Sequence, residues 1–247
     1  MKYAVGIDVG GTNTRVALIN EEYKILERIK FSTDSKDPEV TLQKIGEIIK
    51  GFAKEIEGIG ISCPGPLDLI GGVVLTPPNL PGWHYLPLSK RLEEITGVKV
   101  ALENDAKCAA LAEVWIGNAK DCKDACVLVF GTGIGGGIII DRKVRHGVGM
   151  IAGEMSFLYD GLPIEDVDKI RPLEEINSKQ GGELPDPCIW TQQASVQALR
   201  RKVAKAKGLK WQEVNGEDIY EMAETDPEIQ DILERMEDVV LNRRPDA

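Results

Sequence analysis

Residues 3–19, YAVGIDVGGTNTRVALI, decide how the rest of the chain is read. An apolar, β-branched run from Tyr3 to Val9 enters a turn of Gly10, Gly11, Thr12, Asn13 and Thr14, and a second apolar run, Arg15 to Ile19, leaves it. This pattern predicts a β-hairpin with a glycine-rich tip. Paired glycines let the backbone come close to a ligand, while Thr hydroxyls and turn N–H groups offer several donors to one anion. A phosphate is the natural guest. Asp8 beside the turn would repel a bare phosphate but attract one carrying a divalent cation. An ordinary hairpin whose Asp caps the turn accounts for the same residues, and a second copy of the device weighs against it.

That copy is residues 125–141, ACVLVFGTGIGGGIIID, where a strand from Ala125 to Phe130 meets Gly131, Thr132 and Gly133 and a second strand runs from Ile134 to Ile140. Gly131, Gly133 and Gly136 also satisfy the dinucleotide pattern G-x-G-x-x-G. That pattern needs a helix directly after the turn, whereas Gly137-Ile138-Ile139-Ile140 has strand chemistry. Two glycine–threonine hairpins, one in each half, predict an α/β chain of two lobes, residues 1–117 and 118–247, closing on a polyphosphate from opposite sides.

At 247 residues and 43% hydrophobic composition, the chain can bury one large core or two modest ones. A formal charge of -10 and a pI of about 4.9 argue against a nucleic-acid-binding surface. No apolar run approaches the roughly 20 residues needed to cross a bilayer. Met-Lys-Tyr-Ala leads directly into the first strand, so a cytoplasmic location without membrane contact is expected. The five cysteines, Cys63, Cys108, Cys122, Cys126 and Cys188, lack paired metal-ligand spacing, and reduced thiols are the expectation.

Between the hairpins, Tyr23 to Phe31 reads as a third strand. Asp37 as N-cap, Pro38 as first helical residue and Glu39 in the first turn predict a helix with Val40, Ile45, Ile48, Ile49 and Phe52 on its buried face. Ile56 to Ser62 is a buried strand running into Cys63-Pro64-Gly65-Pro66, and Leu67 to Leu75 a hairpin with Gly71-Gly72 at its tip. Residues 76–83, TPPNLPGW, form a proline-stiffened loop that either holds Asn79 still for a ligand or merely breaks structure while Trp83 fills a gap. Leu88, Leu92 and Ile95 mark a short helix stopped by Gly97, and Val98 to Leu102 the next strand.

That strand delivers Glu103-Asn104-Asp105 into a helix from Ala106 to Trp115. Capping needs one Asn or Asp. Two in a row at the end of an apolar strand, where α/β folds hold ligands, invite a functional reading. A carboxylate here can accept a proton from a hydroxyl while the neighbouring amide bonds another. Farther on, Glu154 follows Gly153 in a small, apolar stretch, and on its own reads as a solvated surface Glu. Residues Ile189 to Lys207 read as one helix and Pro227 to Leu241 as another, neither with catalytic spacing.

With these pieces placed, the sequence resembles the ROK family of sugar kinases. The resemblance rests on Asp8-Val9-Gly10-Gly11-Thr12-Asn13-Thr14-Arg15, Pro64-Gly65-Pro66, Pro78-Asn79-Leu80-Pro81-Gly82-Trp83, Glu103-Asn104-Asp105-Ala106, Gly131-Thr132-Gly133-Ile134-Gly135-Gly136-Gly137 and Gly153-Glu154, in that order over residues 3–154. It implies a duplicated actin-like, hexokinase-like (ribonuclease H-like) α/β fold. It also implies phosphoryl transfer from ATP with Mg²⁺ to a hexose hydroxyl. Asp8, Gly10, Gly11, Thr12, Asn13, Gly131, Thr132 and Gly133 would serve the ATP phosphates, Gly65, Asn79, Asn104 and Glu154 the sugar, and Asp105 would be the catalytic base. The implied partner is a small-molecule sugar, with a homodimer left open.

Three departures from the family pattern carry expectations of their own. Ser156 and Phe157 stand where Gly and His are usual, which points to an altered pocket around the first sugar carbons. The cysteine-rich zinc motif is missing from residues 158–188, so no structural zinc is expected, and Glu174 and Glu175 are guesses for that motif's last sugar-binding Glu. A glycine-rich adenosine-binding segment near the carboxyl end is also missing, and residues 237–247 read as a solvated tail. Weak or absent nucleotide affinity follows as an expectation, with a non-catalytic sugar sensor as the alternative to a kinase. A transcriptional regulator would need a DNA-binding head for which Tyr3 leaves no room, and a nicotinamide enzyme is disfavoured by the strand after Gly133.

Overall fold

The computed structural model describes residues 2–156, 158 and 190–241. It divides into two compact units, Met1–Ala125 with Ile138–Ala152, and Cys126–Gly137 with Gly153–Ala247.

In the first unit, β1 (Tyr3–Val9), β2 (Asn13–Asn20) and β3 (Ile25–Ser32) form the antiparallel meander that the glycine turn predicts. β3 begins later than expected because Asn20 Oδ1 accepts the N–H groups of Glu22 and Lys24, holding a turn in which Tyr23 sits at φ 61°. β4 (Ile56–Cys63) and β7 (Val100–Asn104) add in parallel to give the order β3-β2-β1-β4-β7. β5 (Leu67–Asp68) and β6 (Val73–Val74) make the short hairpin beside it.

Three helices serve this sheet. α1 (Pro38–Gly51) starts where Asp37 Oδ1 accepts the Glu39 N–H at 3.0 Å. Its buried stripe is Leu42, Ile45 and Ile49, whereas Val40, expected inside, is 56% exposed. The face is turned by about one residue, with Thr41 and Leu42 inward in place of Val40, and the buried Thr41 accepts the Asp34 N–H. α2 (Leu88–Thr96) buries Leu88 and Leu92 and stops at Gly97, whose φ of 72° suits a residue without a side chain. With Val5, Ile7, Val9, Val16, Leu18, Ile59, Ile61 and Trp83 these side chains form one core, each aliphatic group worth about 1.5–3 kcal/mol when fully buried. α3 (Asp105–Trp115) follows β7 without a loop, and Arg142 Nη2 donates to the Val114 carbonyl near its end.

β8 (Ala125–Phe130), β9 (Ile134–Ile140) and β10 (Lys143–Val144) form a three-stranded sheet with β9 central. In the second unit, α4 (Trp190–Ala194) and α5 (Val196–Lys207) replace the single helix expected over 189–207. Ser195 divides them. It is extended (φ −74°, ψ 158°) and its Oγ accepts the Ala198 N–H, so it caps a new helix rather than continuing the old one. α6 (Asp218–Ala223), which the sequence reading missed, and α7 (Pro227–Leu241) pack with α5 around Leu199, Val203, Val214, Ile219 and Ile229. No described helix is long and apolar enough to cross a membrane.

Candidate functional site

The carboxyl ends of β1, β4 and β7 carry a row of polar side chains on one face of the first unit's sheet. Register sets the row: Asp8 stands opposite Arg15 on β2 and Ser62 on β4, and Ser62 stands opposite Glu103 on β7. Arg15 Nη1 donates to Asp8 Oδ2 at 2.8 Å and Ser62 Oγ to Asp8 Oδ1 at 3.0 Å. The capping alternative for Asp8 therefore fails, because its oxygens bond sideways across the sheet. The turn closes without it, Gly10 N–H donating to the Asn13 carbonyl at 3.0 Å. One step toward the strand middles, Ala17, Gly6, Gly60 and Ala101 form a matching row of small residues, the floor of an open cavity of about 550 Å³.

The glycine turn packs on the proline-stiffened loop. A Cβ on Gly11 would come within 2.9 Å of Asn79 Cβ and 3.1 Å of its carbonyl oxygen, so only glycine lets the two segments touch. Trp83 is fully buried and its Nε1 donates to the Asp34 carbonyl at 2.9 Å. Filling a gap and holding the loop are here the same act.

At the end of β7, Asn104 is the N-cap of α3, its Oδ1 accepting the Lys107 N–H at 3.2 Å, and a Cβ on Gly65 would lie 3.7 Å from its Nδ2. Asp105 is exposed as the first residue of α3, with Oδ1 accepting the Ala106 N–H at 2.9 Å. A carboxylate at a helix N-terminus is favoured by the helix dipole. Negative charge gathers here: burial, then Glu103, Asp105 and Asp8, push the Cys108 thiol up to about 12, and burial with Asp105 and Asp8 pushes Cys63 far up as well. Both thiols stay protonated and unreactive.

Glu154, Gly131, Thr132 and Gly133 belong to the second unit. Gly131 N–H donates to the Gly133 carbonyl at 2.9 Å, and Thr191 Oγ1 accepts the Ile134 N–H at 3.1 Å. Among the described residues, a Cβ on Gly131 would meet nothing within 4 Å beyond its chain neighbours, whereas on Gly136 it would overlap the Gly153 carbonyl and Met155. Glu154 is exposed and its Oε1 lies 2.6 Å from Ser156 Oγ, so Ser156, in place of the usual glycine, orients it. Phe157, Glu174, Glu175, Cys188 and the rest of residues 159–189, where a zinc motif would fall, lie outside the described residues.

Two contacts escaped the sequence reading. Asp8–Arg15 was available by counting across the hairpin, since paired residues sum to a constant. The bond between Glu103 and His146, at 2.7 Å, joins residues 43 apart and has no spacing signal. Among the described residues no group of three or more His, Cys, Asp or Glu forms a metal site. Mg²⁺ bound with a nucleotide takes one or two carboxylates and fills its shell with phosphate oxygens and water. Asp8 beside the glycine turn fits that share.

A model of the ROK family matches residues 4–241. A glucokinase from Thermotoga maritima is 36% identical over 157 residues, covering 61% of this chain and 50% of that protein. A beta-glucoside kinase from Listeria monocytogenes is 28% identical over 220 residues, covering 89% and 68%. Among solved structures, a ROK family glucokinase from Streptomyces griseus in complex with glucose and AMPPNP superposes with a TM-score of 0.72 at 27% identity, covering 95% of this chain and 75% of that one. The chain spans about half the length of the glucokinases and N-acetyl-D-glucosamine kinases it matches.

Proposed function

The chain belongs to the ROK family and has its actin-like, hexokinase-like α/β fold, and from that premise we propose that it transfers the terminal phosphoryl group of ATP to a hydroxyl of a hexose or hexose derivative, with Asp105 as the base. The observation that carries this reading is the corner at the end of β7. There an exposed carboxylate, Asp105, follows directly on an amide, Asn104, whose side chain is held by the helix it caps. Glucokinases and an N-acetyl-D-glucosamine kinase among the relatives support a hexose as acceptor, and the beta-glucoside kinase supports one carrying a substituent.

Phosphoryl transfer has a loose transition state with charge spread over the transferred oxygens, so positioning and electrostatics supply most of the catalysis. Asp105 orients the acceptor hydroxyl and takes its proton late, which requires no unusual basicity. Gly65, Asn79, Asn104 and Glu154 bind the remaining hydroxyls. Gly10 and Gly131 spend their own N–H groups closing the two turns, and the backbone of Gly11, Thr12 and Asn13 and of Thr132 and Gly133 that those turns present offers N–H donors to the phosphates. Asp8, whose two oxygens also take the Arg15 and Ser62 bonds, would hold Mg²⁺, which would neutralise charge on the phosphate oxygens.

The test is release of ADP from Mg-ATP by the purified chain across glucose, mannose, fructose, N-acetylglucosamine, N-acetylmannosamine and a β-glucoside, alongside calorimetry with each sugar and with ATP. Sugar-dependent ADP release with one or a few of these is the expected result. Sugar binding without ADP release from any of them would overturn the kinase reading in favour of a sensor.

A further inference from the structure

Glu103 lies one residue before the Asn104–Asp105 corner and has no role in the reaction as described. Its carboxylate is held from both sides: Oε1 accepts the Asn104 N–H at 2.8 Å, and Oε2 lies 2.7 Å from His146 Nε2. A carboxylate only accepts, so Nε2 carries the proton in this contact. The two side chains are 33% (His146) and 22% (Glu103) exposed, so water competes for the bond less than at an open surface pair. His146 is anchored in turn, because its carbonyl accepts the Ala152 N–H at 2.9 Å and closes the loop of residues 146–152, with Gly147 and Gly149 at φ 67° and 73°.

We propose that Glu103 and His146 are positioning residues of the Asp105 site. Their bond fixes the peptide between Glu103 and Asn104, and with it the direction in which Asn104 and Asp105 leave the strand. Rotation of that one peptide would swing both the sugar-binding amide and the base, and a misplacement of about 1 Å can cost on the order of 10² in rate. The catalytic part of the proposal rests on the reading of Asp105 as base. The structural part does not.

The chain has two histidines, His84 and His146, so His84→Gln assigns the ring signals of both. In NMR spectra of the full chain, His146→Ala should shift the Asn104, Asp105 and Ala106 amide signals. His146→Gln, whose side-chain N–H reaches about as far as Nε2, should return them toward their original positions. Glu103→Gln leaves His146 in place and should move both its ring signals and the Asn104 amide, which keeps the test open if His146→Ala does not fold. In the ADP-release assay, His146→Ala should lower kcat by about 10- to 100-fold with little change in the KM for ATP, and His146→Gln should recover most of the loss.

Amide signals that stay put in both His146→Ala and Glu103→Gln overturn the proposal whether or not the chain turns over. Equal losses of kcat in the Ala and Gln variants overturn it too, since bulk rather than the bond would then matter. Amides that move and are restored by Gln, in a chain that releases no ADP with any sugar, uphold the positioning role and overturn the kinase reading alone.

Discussion

The two glycine–threonine turns look alike in sequence and differ in what surrounds them. At the first, Gly11 is pressed against Asn79, so its missing side chain is demanded by the protein itself. At the second, among the described residues, none but its chain neighbours lies within 4 Å of where a Gly131 side chain would stand. A glycine required by internal packing says little about ligands. A glycine beside open space lets backbone N–H groups approach something that is not part of the chain. The second turn thus leaves room for the phosphate that the proposed function puts there, although the first carries the longer motif.

If both turns serve one reaction, the largest effect belongs to neither of them. Asp105→Asn should lower turnover by roughly 10²–10⁴, the range for a lost general base, while calorimetry finds sugar affinity largely kept. Unchanged turnover would remove Asp105 from the role of base. Next in size, Gly11→Ala should cost about 1–3 kcal/mol through overpacking against Asn79, read as a Tm lowered by roughly 2–4 °C per kcal/mol. Wild-type melting would mean that the contact yields easily, and the contrast between the turns would shrink.

Gly131→Ala should do the opposite. Its Tm should stay near the wild-type value, while the KM for ATP rises by about tenfold, the worth of one hydrogen-bonded contact of about 1.4 kcal/mol. A fall in Tm with ATP handling intact would reverse the roles given to the two turns.

The smallest effect lies away from both turns, where Arg91 Nε and Nη2 donate to the two oxygens of Glu39 at 3.0 and 2.8 Å and join α2 to α1. The Arg91 bond holds the Glu39 carboxyl below its ordinary value of 4.5. A carboxyl held low in the folded state adds stability above pH 4.5, and that contribution disappears as the pH falls through the lowered value. Arg91→Ala should therefore reduce stability slightly at neutral pH and make no difference in strong acid, with denaturant melts at several pH values as the readout. Equal losses at every pH would assign Arg91 a packing role instead.

Much of this molecule was legible in its sequence because many of its decisions are local. The Asp37 cap, the Gly97 stop, the strand Tyr3–Val9 and the helix Pro227–Leu241 follow from neighbours within a few residues. Where a local preference had two outcomes, periodicity chose badly. Val40 has the right spacing for the core and lies in water, and Ser195 sits in a helical pattern yet caps a second helix. The ROK resemblance singled out Asp105, Asn104 and Asp8, since a motif records residue types in order.

What a residue touches across the chain is a different kind of information. That Asp8 bonds Arg15 and Ser62 instead of capping its turn, that Gly11 is packed and Gly131 open, and that Glu103 meets His146 were all decided by strand register and by chain segments meeting in space. The order of residues determined which helices and strands form, through short-range sterics and capping. Only the folded chain determined which polar groups satisfy one another, because a buried or half-buried donor takes whichever acceptor the packing brings within about 3 Å.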